Sequence, residues 1–150
     1  MKLQMPPLFQ FLVCAALGWM FTAALPSFQF NWTGVGVMGW LIMGIGTAIL
    51  LISVRAFISV RTTVNPLDPS KANSLVTTGL YRISRNPMYL AMALILFGEA
   101  FLLGSWVAFA APILFVVAMT LLQIKPEEKA LQEIFGNDFL EYCRRTRRWI

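Results

Sequence analysis

Hydrophobic positions fall in long uninterrupted runs, and polar ones gather between and after them. Leu8 to Leu25 carries no charge, and neither does Gly34 to Val54; each is long enough to cross a hydrocarbon core of about 30 Å as a helix. From Met88 to Ile124 the chain is apolar except for Glu99, and as one helix it would run roughly 55 Å. Gly104-Ser105 is the best breaker, dividing it into a hairpin of helix three, Pro87 to Leu103, and helix four, Trp106 to Ile124. The pattern predicts an all-α integral membrane bundle of about four transmembrane helices (8–25, 34–54, 87–103 and 106–124) in a single membrane domain, with a loop at 55–86 and a tail at 125–150.

The tail has its own periodicity. Leu131, Ile134, Phe135, Phe139, Tyr142 and Cys143 recur at helical spacing, which predicts amphipathic helices lying on the membrane surface or folded over the loop. Gly136-Asn137 is the expected junction between two of them. Helix two is rich in glycine, and Gly44 to Ala48 forms a small-xxx-small step suited to close packing on a neighbour or a second copy; a groove for lipid tails is the sharper alternative.

Composition agrees with a lipid environment: 58% of the 150 residues are hydrophobic and 13% charged. Basic residues add an orientation. Lys2 precedes helix one, Arg55, Arg61, Lys71, Arg82 and Arg85 lie between helices two and three, and the rest follow helix four. The positive-inside rule then puts both termini and the central loop in the cytoplasm. Phe28, Phe30 and Trp32 suit an aromatic belt on the far side, and Arg144, Arg145, Arg147 and Arg148 suit anionic headgroups. Leu8 to Leu25 could imitate a signal peptide, but Trp19 interrupts it and further hydrophobic segments follow at once, so cleavage is not expected.

With no histidine in the chain, imidazole bases, His-ligated metals and His-based triads are excluded. Cys14 and Cys143 are too far apart to suggest a redox or zinc motif, and no metal is expected. The remaining candidates are few. Asn86-Pro87 suits an N-cap and first helical position, and equally an anion site at the helix start. Glu127 and Glu128 follow Pro126, where acidic groups favour a helix start, and either carboxylate could accept hydrogen bonds from a ribose or amino group. Gln123 shares the face of Glu127. Glu99, ionisable within a span, lies near enough to Gly104 to reach water at the far interface.

Several of these residues stand in a recognisable order. The stretch Leu75-Val-Thr-Thr-Gly-Leu-Tyr-Arg-Ile-Ser-Arg-Asn-Pro-Met-Tyr89 resembles the LVTxGxY and RHPxY signature of the isoprenylcysteine carboxyl methyltransferase and phospholipid methyltransferase group. Glu127-Glu128, Phe135-Gly136 and Phe139-Leu-Glu-Tyr142 resemble the acidic pair and tail that follow it there. The resemblance covers residues 73 to 148.

It implies a bacterial-type membrane methyltransferase, in an inner membrane, that takes its methyl group from S-adenosylmethionine. Asn73, Ser74, Leu75, Val76, Tyr81, Asn86, Pro87, Met88, Tyr89 and Glu127 would line the cofactor site. Tyr81 or Tyr89 would pack on the adenine or sulfonium. Gln123 stands where eukaryotic members carry an arginine for prenylcysteine, which makes it the candidate substrate residue and argues for a neutral or differently charged acceptor. Asn86 replaces the family histidine and keeps a hydrogen-bonding side chain. Partners expected are a lipophilic small molecule and membrane lipid, not nucleic acid. Prenylated or small thiols, phospholipids and other isoprenoids all remain open as acceptors. An NADPH-dependent reductase of the sterol-reductase type, whose tail Glu141-Tyr142-Cys143 echoes, and a non-catalytic scaffold are the alternatives.

Overall fold

The structure is a computed structural model that describes residues 5–59 and 75–150. Helix α1 spans Pro7–Ala24, α2 Val35–Ser59, α3 Pro87–Leu103, α4 Ala110–Ala118, α5 Lys125–Phe135 and α6 Asn137–Arg145. Among the described residues there is no strand, and the chain is the all-α bundle its apolar runs predict. Three helical runs, Pro7–Ala24, Val35–Ala56 and Trp106–Phe135, are long and apolar enough to cross a membrane, and Pro87–Leu103 is a shorter apolar helix.

Local chemistry explains the boundaries. Pro7 starts α1 without wasting a hydrogen bond, and Pro26 follows its end. Gly104 ends α3 in the left-handed conformation at φ 57°. A Cβ there would lie 2.8 Å from the Phe30 carbonyl oxygen, so the turn needs glycine twice over. Phe30 N–H donates to the Gly104 carbonyl at 2.7 Å, which ties the α1–α2 connection to the hairpin. Phe30, Trp106 and Phe109 then cluster with Phe97 and Phe101 at this end of the bundle.

Helix α2 lies against α3 through its glycines. A Cβ on Gly39 would come within 2.9 Å of the Gly98 carbonyl oxygen, and one on Gly46 within 3.0 Å of that of Ala91. Backbones approach this closely only where side chains are absent. Gly44, half of the expected small-xxx-small step, meets nothing within 4 Å, and Ala48 is exposed. The close contact is therefore made at Gly39 and Gly46. On the other side of α3, Cys14, Leu96, Phe115, Met119 and Ile124 form the core with Tyr89. Trp19 Nε1 donates to Glu99 at 2.9 Å, so the ionisable residue of α3 is joined to α1.

The run from Trp106 to Phe135 has no break at Lys125. Between α4 and α5, Met119–Ile124 forms a π-helical turn. It comes just before Pro126, which lacks an N–H and crowds the carbonyl four residues back; a wider turn accommodates both problems. Glu127 and Glu128 are therefore not at a free helix start: Ile124 before them is itself helical, at φ −66° and ψ −47°. At about 1.5 Å per residue this 30-residue run exceeds the hydrocarbon thickness. Its charged residues all fall within Lys125–Phe135, so that end projects from the apolar layer.

Candidate functional site

Tyr89 occupies the first turn of α3 and is buried against the core. Its hydroxyl donates to Glu127 Oε1 at 2.9 Å. Gln123, one turn before Glu127 and fully buried, donates through Nε2 to the same oxygen at 2.6 Å. The spacing of four residues puts amide and carboxylate on one helix face. Both bonds land on Oε1, and among the described residues Glu127 Oε2 accepts none. One carboxylate oxygen is held in place while the other keeps its lone pairs.

Tyr81 forms a further wall. Gly79, at φ 61°, starts the 3-10 turn Gly79–Arg82 that carries it, and its side chain is buried. Tyr142 from α6 donates to the Tyr81 carbonyl at 2.6 Å. Burial first, then Tyr142 and Glu127, hold the Tyr81 hydroxyl well above the ordinary phenol range. The Tyr142 hydroxyl is likewise pushed up by burial, although Arg85 opposes the effect. Both phenols are neutral hydrogen-bonding groups at physiological pH. Cys143 is free, and burial pushes its thiol up as well, although Arg85 opposes the effect.

Beyond α6, residues 146–150 fold back over the start of α3. Arg85 N–H donates to the Arg147 carbonyl at 2.9 Å, and Asn86 Nδ2 donates to that of Arg148 at 3.0 Å. Trp149 Nε1 donates to Thr120 Oγ1 at 3.2 Å, and the indole packs on the core cluster that includes Tyr89. Glu128 accepts from Arg85 at 2.8 Å and from Arg148 Nη2 at 2.6 Å. Arg85 also donates to the carbonyls of Cys143 and Thr146.

Of the residues predicted for the site, the structure brings Tyr89, Gln123 and Glu127 into direct contact, with Tyr81 close enough to feel the Glu127 charge. Pro87 and Met88 lie beside Tyr89 in the first turn of α3, and Val76 is buried in the segment leading to Tyr81, with Leu75 half-buried before it. Asn73 and Ser74 lie outside the described residues. Asn86 stands at the N-cap position but makes no side-chain cap; its amide is turned to the Arg148 carbonyl instead. Arg85, Arg148 and Trp149 are not site candidates in the sequence, and Glu128 is one only as the neighbour of Glu127. Their signal was faint: an arginine ahead of Asn-Pro, the second of two adjacent glutamates and a basic cluster that reads equally well as a lipid-binding surface.

The phospholipid methyltransferase family model matches residues 35–138. An uncharacterized protein of Haemophilus influenzae is 35% identical over 63 residues, which is 42% of this chain and the whole of that protein. No solved structure matches the chain. The match takes in α2, α3 and the run that carries Gln123 and Glu127, so the helices that build the site are those the family shares. The chain is a membrane protein that belongs to the phospholipid methyltransferase family.

Proposed function

We propose that the chain transfers a methyl group from S-adenosylmethionine to a lipophilic acceptor that enters from the bilayer. The observation that carries this reading is the convergence of Tyr89, Gln123 and Glu127 on one carboxylate oxygen, with the second oxygen left to a ligand. A carboxylate so arranged suits the hydroxyl or ammonium donors of such a cofactor, and the neutral aromatic walls Tyr81 and Tyr89 suit a sulfonium cation. The residues fit the group.

When bound, S-adenosylmethionine supplies an electrophilic methyl on a positively charged sulfur, with a neutral thioether as leaving group. Glu127 and the start of α3 bind and orient the polar end. Tyr81, Tyr89 and the surrounding core exclude water, which favours displacement by a nucleophile already in line. No histidine is needed for a thiolate or carboxylate acceptor, which arrives already deprotonated, and direct displacement then rests on alignment. The distribution of lysine and arginine supports a cytoplasmic site with both termini on that side, and the resemblance to bacterial-type members supports an inner membrane.

Calorimetry of the purified chain with S-adenosylhomocysteine and with NADPH tests the donor. Binding of S-adenosylhomocysteine is expected; binding of NADPH alone would establish the reductase reading instead. Transfer of a labelled methyl group into a membrane lipid extract, with identification of the product, then defines the acceptor.

A further inference from the structure

Residues 146–150 touch both elements that carry the Tyr89–Glu127 pair. Their backbone is held at the start of α3 by Arg85 N–H and Asn86 Nδ2. Their side chains reach the other element, Trp149 at Thr120 in the π-helical turn and Arg148 at Glu128 in α5. The segment is thus a cross-brace between the start of α3 and the α4–α5 run. We infer that Asn86 is a positioning residue that acts through this brace: by holding the Arg148 carbonyl it sets the separation of Tyr89 and Glu127 and hence the affinity of the donor site.

The chemistry of position 86 supports a donor role. Its amide gives a hydrogen to a carbonyl oxygen, and an imidazole N–H at the same position would offer the brace a donor as well. An ionised aspartate has the same shape and only acceptors. Asn86→Asp therefore replaces an attraction to the Arg148 carbonyl with a repulsion, leaving the backbone of α3 and the ion pair at Glu128 in place.

The inference rests on the methyltransferase reading for the identity of the ligand, and the test separates the two. Hydrogen exchange over residues 146–150 is measured by mass spectrometry for the full chain, Asn86→Asp and Asn86→His, alongside S-adenosylhomocysteine affinity. Asn86→Asp is expected to exchange several-fold faster in this segment and to bind about tenfold more weakly, while Asn86→His keeps the segment protected. Unchanged exchange in Asn86→Asp, or faster exchange with unchanged affinity, would overturn the inference. So would weaker binding without faster exchange, which would make Asn86 a direct ligand contact, or an Asn86→His segment as loose as that of Asn86→Asp. If the unaltered chain does not bind S-adenosylhomocysteine, the proposed cofactor fails, and the exchange comparison still decides whether Asn86 holds the brace.

Discussion

Tyr89 and Glu127 share a hydrogen bond of 2.9 Å that joins the first turn of α3 to α5, 38 positions further along the chain. It brings a neutral phenol and a carboxylate together at the end of the bundle where charged residues begin. The carboxylate is oriented from two sides, because Gln123 donates to the same oxygen. Removing either donor leaves the carboxylate held from one side only.

Tyr89→Phe and Glu127→Gln should therefore weaken S-adenosylhomocysteine binding while the helix content stays unchanged. Hydrogen bonds to charged groups contribute about 1.5–3 kcal/mol; burial pushes the Glu127 carboxyl up to about 7, so above that pH, where the group is ionised, the expected loss for Glu127→Gln is tenfold or more, on the order of tenfold per 1.4 kcal/mol. Tyr89→Phe keeps the ring and should lose less. Calorimetry with circular dichroism as the control reads both; normal binding by both variants would mean that the donor sits elsewhere.

Glycines of α2 divide into two classes. Gly39→Ala would press a methyl group to within 2.9 Å of the Gly98 carbonyl, and Gly98→Ala would do the reverse at 2.8 Å. Each should cost about 1–3 kcal/mol, the usual penalty of overpacking. Gly44→Ala enters open space and should be neutral or stabilise by up to about 1 kcal/mol through helix propensity. Thermal unfolding in detergent measures the difference, and equal effects at Gly39 and Gly44 would contradict the α2–α3 packing.

Two arginine pairs should behave differently. Arg85 and Glu128 have side chains only 12% and 17% exposed and share Arg148 as a third member. Glu128→Gln leaves the Arg85 guanidinium, largely shielded from water, without its counter-charge, and a loss of about 1–3 kcal/mol is expected. The Arg145–Glu141 pair on α6 is largely exposed, and Arg145→Ala should change the unfolding midpoint little. A larger effect at Arg145 would reverse this assignment.

The buried phenols Tyr81 and Tyr142 also predict a pH dependence. Each is held above its ordinary 10.0, first by burial. The folded chain then keeps protons that the unfolded chain loses, so this contribution to stability is complete below pH 10 and declines as pH rises above it. Unfolding midpoints should show no loss from these groups between about pH 6 and 9 and a fall beyond about pH 10. Tyr142→Phe should make that fall shallower while losing the bond to the Tyr81 carbonyl; an unaltered alkaline slope would exclude Tyr142 as its source.

Much of this was legible along the chain. Uncharged runs marked the apolar helices, because hydrocarbon admits only a backbone that satisfies its own hydrogen bonds. Gly104 was readable as the turn of the hairpin. The pairing of Gln123 with Glu127 followed from helical spacing, and Tyr89 and Glu127 belonged to motifs of one family. The α2 contact was less legible: Gly44 and Ala48 have the spacing of a packing step, yet Gly39 and Gly46 make the contact. Spacing reports which residues share a face, and not which face meets a neighbour.

By itself the amino-acid sequence determined the solvent, the helices and the kind of chemistry available, since these depend on local composition and period. Tertiary structure decided what Asn86, Glu128 and Trp149 do. Asn86 could cap its own helix or bond a distant carbonyl, Pro126 could start a helix or sit behind a π-helical turn, and the arginines near 148 could face lipid or Glu128. Each choice compares a local partner with one far along the chain, and only the packed bundle determines which partner lies within hydrogen-bonding reach.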